Sequence, residues 1–102
     1  DIKSKENVFR PDMMVFCDAT AEIPEIVFEI LSPSSRQTDL RVKVVKYEEM
    51  GIKEYWIIDP KTKTVTVHDF VNNTAEIYDI NDTVSSAIIS QINIPVKIIF
   101  EN

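Results

Sequence analysis

Glu25-Ile26-Val27-Phe28-Glu29-Ile30-Leu31 is the stretch on which the fold turns. It is an apolar run rich in β-branched residues and closed by Ser32-Pro33, so it reads as a strand covered on both faces. Residues 35–50 then carry a helical period. Ser34 and Gln37 have the spacing of a capping box, and Gly51, the only glycine, stands where a C′ residue belongs. Glu54-Tyr55-Trp56-Ile57-Ile58-Asp59 is the next strand, ended by Pro60. Strand, helix and strand in this order predict an α/β sheet with a helix crossing over between two neighbouring strands.

Working outward, Met13 to Cys17 reads as a short apolar strand introduced by Pro11-Asp12. Thr64 to Phe70 alternates, with Val65 and Val67 on one face. Ala75 to Ile80 is its hairpin partner, with Asn72 and Asn73 expected at two positive-φ turn positions. These strands form a meander with a polar outer face, and Ile94 to Phe100 reads as a final strand or a short terminal segment. Tyr55 and Trp56 are assigned to the core, His68 to the surface.

At 102 residues the chain is read as one domain over 1–102, and 44% hydrophobic content suffices for a packed core. Asp1 is not an initiator Met, and the first ten residues read as the continuation of something that precedes them. The single Cys17 has no internal disulfide partner and suits a reducing compartment. No apolar run is long enough to span a bilayer and no signal-peptide pattern is present, so the expected compartment is the cytoplasm, without membrane contact. A net charge of -6 argues against holding nucleic acid on a broad basic surface, but leaves room for local grip on phosphate.

Two residues break the apolar pattern. Glu29 lies inside the strand run. With Leu40 at zero and roughly 100° per residue, Lys43 falls near 300°, between Tyr47 and Met50 on the buried face of the helix. Buried charges are expensive unless paired or metal-bound. Together with Asp12, the pair could converge at one edge of the sheet. Each residue also has an ordinary reading: Pro-Asp turn chemistry for Asp12, an edge carboxylate or a structural ion pair for Glu29, and an ammonium lifted into water for Lys43. Asp39 reads as a first-turn acid favoured by the helix dipole. Ser32, Ser34 and Ser35 lack a nucleophile-elbow pattern and read as strand-end and cap residues. As a set, Asp12, Glu29 and a backbone carbonyl such as that of Ile30 supply oxygens for Mg²⁺ or Mn²⁺, and Lys43 supplies a point charge for a developing phosphoryl anion.

These pieces resemble the Uma-type family of restriction-endonuclease-like proteins, within the wider PD-(D/E)XK nuclease fold. The matching segments are Arg-Pro-Asp-Met-Met-Val-Phe at 10–16, Val-Phe-Glu-Ile-Leu-Ser-Pro-Ser at 27–34, Asp39 with Lys43 and Tyr47, and Glu-Tyr-Trp-Ile-Ile-Asp-Pro at 54–60. The resemblance implies a mixed central sheet with a crossover helix and a C-terminal antiparallel meander. It implies a divalent-metal-dependent endonuclease acting on DNA rather than RNA. Asp12 and Glu29 would be the metal-binding catalytic acids. The general nuclease pattern has a Lys two residues after the second acid, where this chain has Leu31, and Lys43 takes its place from the helix. Family members carry an N-terminal half that this chain is expected to lack, and the sheet edge so left predicts self-association. The competing reading is an inactive nuclease-fold remnant that serves as an oligomerisation or interaction module. A third reading is a structural Glu29–Lys43 pair without chemistry.

Overall fold

The computed structural model describes residues 2–3, 8–9, 11–16, 20, 22–35 and 37–101, with side chains described from residue 11 onward. Short strands β1 (Ile2–Lys3) and β2 (Val8–Phe9) pair antiparallel. The centre is a five-stranded mixed sheet of β3 (Met13–Val15), β4 (Ile26–Ile30), β5 (Glu54–Asp59), β6 (Thr64–Asp69) and β7 (Thr74–Tyr78), in that spatial order. β4 and β5 run parallel, and α1 (Gln37–Glu49) connects them; the other three pairings are antiparallel. The expected crossover and meander are both present. A two-stranded sheet of β8 (Thr83–Ser85) and β9 (Asn93–Pro95) leads into the single turn α2 (Val96–Ile99). The C-terminal stretch is therefore strand and helical turn in succession.

Strand alternation divides the core in two. Ile26 and Phe28 of β4, Trp56 of β5, and Val65 and Val67 of β6 face one side, where Val84 and Val96 of the C-terminal unit cover them. Val27, Tyr55 and Ile57 face the other, under Tyr47 of α1 and Ile52. The double-sided burial expected of β4 is thus real, although only one cover is a long helix. β3 is an edge strand, and its Met13 is 55% exposed. It ends at Val15, short of the expected Cys17, which lies outside the described residues.

α1 begins at Gln37, later than expected, because the serines before it are engaged with each other. Ser35 Oγ accepts from the Ser32 N–H at 3.0 Å, and the Ser34 and Ser32 hydroxyls lie 2.9 Å apart. Its end follows the sequence signal closely. Gly51 adopts φ 88, its N–H donates to the Glu48 carbonyl, and the Ile52 N–H reaches back to the Tyr47 carbonyl, which is the Schellman arrangement.

The β6–β7 loop corrects the expected two-residue turn. Asp69 pairs with Thr74, so the loop is 70–73, and of its two asparagines only Asn73 has positive φ, at 57. Asp69 organises it by accepting from the N–H groups of Val71 and Asn72 and from Asn72 Nδ2. The β5–β6 loop repeats this plan: Asp59 accepts from the Lys61 N–H, and Lys63 takes φ 55. Among the described residues, no helix is long and apolar enough to cross a membrane.

One buried group ties the C-terminal unit to the sheet. Glu54, 1% exposed, accepts from Trp56 Nε1 and Ser86 Oγ at 2.9 Å and from the Ala87 N–H at 2.8 Å. Nothing in a Glu opening a strand announces this, because two of its three partners, Ser86 and Ala87, lie 32 and 33 residues downstream.

Candidate functional site

Glu29 and Lys43 meet. The β4–β5 register sets Glu29 opposite Ile57, on the α1 side of the sheet. Lys43 lies on α1 between Leu40 and Tyr47, which both pack into that core. Its Nζ donates to Glu29 Oε1 at 2.9 Å. The two are unequally buried: the Glu29 side chain is 10% exposed and that of Lys43 35%. The carboxylate is the buried member, while the lysine stem lies along apolar surface and its head reaches toward water.

Asp12 arrives from the neighbouring strand. The β3–β4 ladder stops at Met13 opposite Phe28, and Asp12 continues it with its side chain, Oδ2 accepting from the Ile30 N–H at 2.7 Å. The Leu31 N–H points the other way, to the Ile58 carbonyl. By alternation, the Ile30 N–H and C=O both face the β3 edge. Asp12 and the Ile30 carbonyl therefore share one edge, adjacent in sequence to Glu29.

Two phenols form the floor. Tyr47 and Tyr55 are fully buried, with ring centroids 4.8 Å apart. Burial pushes both hydroxyl pKa values far above the ordinary phenol range, and the negative charges of Glu29 and Asp12 push them further. Both carboxylates thus act on the same two groups, which puts them within electrostatic reach of one small region. The Tyr55 hydroxyl adds to this by its closeness to Glu29, although the two fall outside ordinary hydrogen-bond geometry. Tyr55 was assigned to the core alone; its place on the Glu29 face follows only from the register Val27↔Tyr55.

Oxygen chemistry at this edge suits a hard cation. Among the described residues, Asp12 Oδ1 and Glu29 Oε2 carry no hydrogen bond within ordinary limits, and the Ile30 carbonyl faces the same way. No group of three or more His, Cys, Asp or Glu side chains able to hold a metal occurs among the described residues.

His68 does not stand on the surface as expected. It is half-buried between Tyr55 and Phe70, with ring centroids at 6.0 and 6.2 Å, because cross-strand pairing sets it beside Tyr55. Burial lowers its pKa. Asp39 stands exposed in the first turn of α1, in keeping with the dipole reading.

A crystal structure of a "putative nuclease belonging to DUF820" from Anabaena variabilis ATCC 29413 has the same fold, with TM-score 0.66 and 26% identity. The match covers 76% of this chain and 44% of that one, so this chain spans less than half of that protein's length. A search of curated proteins finds no match. The family model described as "Putative restriction endonuclease" matches residues 1–97, and the chain belongs to that family, Uma2.

Proposed function

We propose that the chain carries the metal- and phosphate-handling edge of a divalent-metal-dependent endonuclease that hydrolyses phosphodiester bonds in DNA. The observation that supports this reading is a pair of contacts at neighbouring residues of β4: Asp12 accepts from the Ile30 N–H at 2.7 Å, and Lys43 donates to Glu29 at 2.9 Å. The family's description and the name of the structural neighbour support the nuclease class. The preference for DNA rests on the words "restriction endonuclease".

Asp12, Glu29 and the Ile30 carbonyl would hold Mg²⁺ or Mn²⁺. When bound, such an ion polarises a phosphoryl oxygen and lowers the pKa of a coordinated water. Asp12 keeps the end of β4 in register while offering its second oxygen outward. Glu29 offers Oε2 while Oε1 anchors Lys43. Lys43 balances the carboxylates when the edge is empty, and its ammonium sits ready to stabilise negative charge developing on a phosphate oxygen. The protonated phenols of Tyr47 and Tyr55 add no competing anion and keep the floor dry.

The test is a thermal melt of the parent chain, Asp12→Asn and Glu29→Gln with and without Mg²⁺ or Mn²⁺, followed by a cleavage assay on DNA. At a metal concentration ten times Kd, binding to the folded state alone stabilises by about 1.4 kcal/mol. For a domain of this size that is a rise of roughly 6–10 °C in Tm. The parent should show it and both variants should lose it. A parent that ignores the metal would leave Glu29–Lys43 as a structural ion pair, a second reading with which their direct 2.9 Å contact is equally compatible.

A further inference from the structure

Two grooves lie at the carboxyl ends of parallel β4 and β5, one on each face of the sheet. That is the end at which open α/β sheets receive ligands. Ile30 and Leu31, which follow Glu29, line one each, while Asp12, Glu29 and Lys43 line neither. The groove on the α1 side, about 740 Å³, is lined by Leu31, Ser32, Leu40 and Lys61 among others. The one on the opposite face, about 410 Å³, is bounded by Ile30, Ile58, Lys63 and Phe100 among others. The β5–β6 loop, Pro60 to Lys63, stands between them and gives one lysine to each.

Lys43, Lys46 and Lys53 are each paired with a glutamate. Lys61 and Lys63 are exposed and carry no ion pair among the described residues. Arg41 and Lys97 are likewise exposed without an ion pair among the described residues of this chain of net charge -6, but neither lies on this loop or lines either groove. Of the carboxylates beside them, Asp59 accepts from the Lys61 N–H and Glu101 borders the second groove. Lys63 also sits where its residue type is unfavourable. Its φ of 55 lies in the left-handed region, and the equivalent place in the next hairpin holds Asn73, which tolerates that backbone well. A residue type that the local backbone disfavours is a candidate for a role outside the fold.

We propose that the Pro60–Lys63 loop grips the sugar–phosphate backbone of the nucleic-acid substrate, Lys61 and Lys63 each neutralising a phosphate that flanks the one at the Asp12–Glu29 edge. The inference rests on the nuclease reading, and its test is independent of cleavage. Binding of a fluorescent duplex to the full chain is measured by anisotropy in EDTA across a salt series, for the parent, Lys61→Ala/Lys63→Ala, and Lys46→Ala/Lys53→Ala as a control of equal charge change. Each phosphate contact adds about 0.9 to the slope of log K against log salt. The loop variant should therefore be shallower by about 2 and bind at least about tenfold more weakly at low salt, with the control close to the parent. Lys63→Asn separates binding from folding: it should raise Tm while making the slope shallower by about 1. DNA and RNA duplexes of one sequence run in parallel; a lysine-dependent slope on either supports the inference, and the tighter binder identifies the polymer.

An unchanged slope in the loop variant, equal losses in the control, or no binding by the parent would overturn the proposal. Lysine-dependent binding without metal-dependent cleavage would sink the nuclease reading alone. Cleavage and binding untouched by the loop substitutions would sink this inference alone.

Discussion

Unequal burial of the Glu29–Lys43 pair makes a directional prediction. At 2.9 Å the gross attraction is about 6 kcal/mol for an effective dielectric near 20. Removing one partner of a fully buried pair costs about 3–5 kcal/mol. Here the lysine side chain is 35% exposed, so solvent screening reduces that figure substantially. Lys43→Met strands a buried carboxylate and should cost about 2 kcal/mol without metal, or roughly 10 °C in Tm. Glu29→Gln leaves an ammonium that can swing into water, and should cost only about 1 kcal/mol. The double variant should lose about 1.5 kcal/mol, giving a coupling of about 1.5 kcal/mol. Urea unfolding of the four proteins in EDTA, at constant m-value, measures all three quantities. Additive losses, or a glutamate substitution costlier than the lysine one, would refute the burial argument.

Two further predictions concern the fold. Glu54→Ala strips the acceptor from Trp56 Nε1, Ser86 Oγ and the Ala87 N–H, and should cost about 4 kcal/mol, read in urea by the fluorescence of the sole tryptophan; a loss below about 1 kcal/mol would remove Glu54 as the anchor of the C-terminal unit. His68 has a folded pKa below its ordinary 6.5, so the unfolded chain takes up the proton first. Its contribution to stability is full above about pH 6.5 and declines as pH falls through that value toward the folded pKa. His68→Phe should flatten the pH dependence of Tm across this window, and an unaltered profile would show that burial does not govern this group.

Much of the scaffold was legible because its signals are local. β-Branched runs marked β4 and β5, and Gly51 ended α1 because a left-handed residue without a Cβ penalty was needed there. Helical angles alone put Lys43 on the buried face. Sequence was weaker where local groups had several partners within reach. The serines before α1 bonded to one another, which moved the helix start to Gln37. Asp69 took up its own loop's N–H groups, which widened the expected two-residue turn.

The sequence by itself determined the order and period of the elements from β3 to β7, the family, and the short set of charges out of pattern, since periodicity and backbone preference act over a few residues. The β1–β2 and β8–β9 pairs were not legible in it. Only the tertiary structure decided that β3 lies at the edge beside β4, that Asp12 completes its ladder at Ile30, and that Lys43 bonds Glu29. It alone set Tyr55 under that pair, stacked a half-buried His68 on Tyr55 and joined Glu54 to Ser86 and Ala87. Each of these depends on sheet register and on burial shared between distant segments, and burial is a property of the packed chain that no local stretch carries.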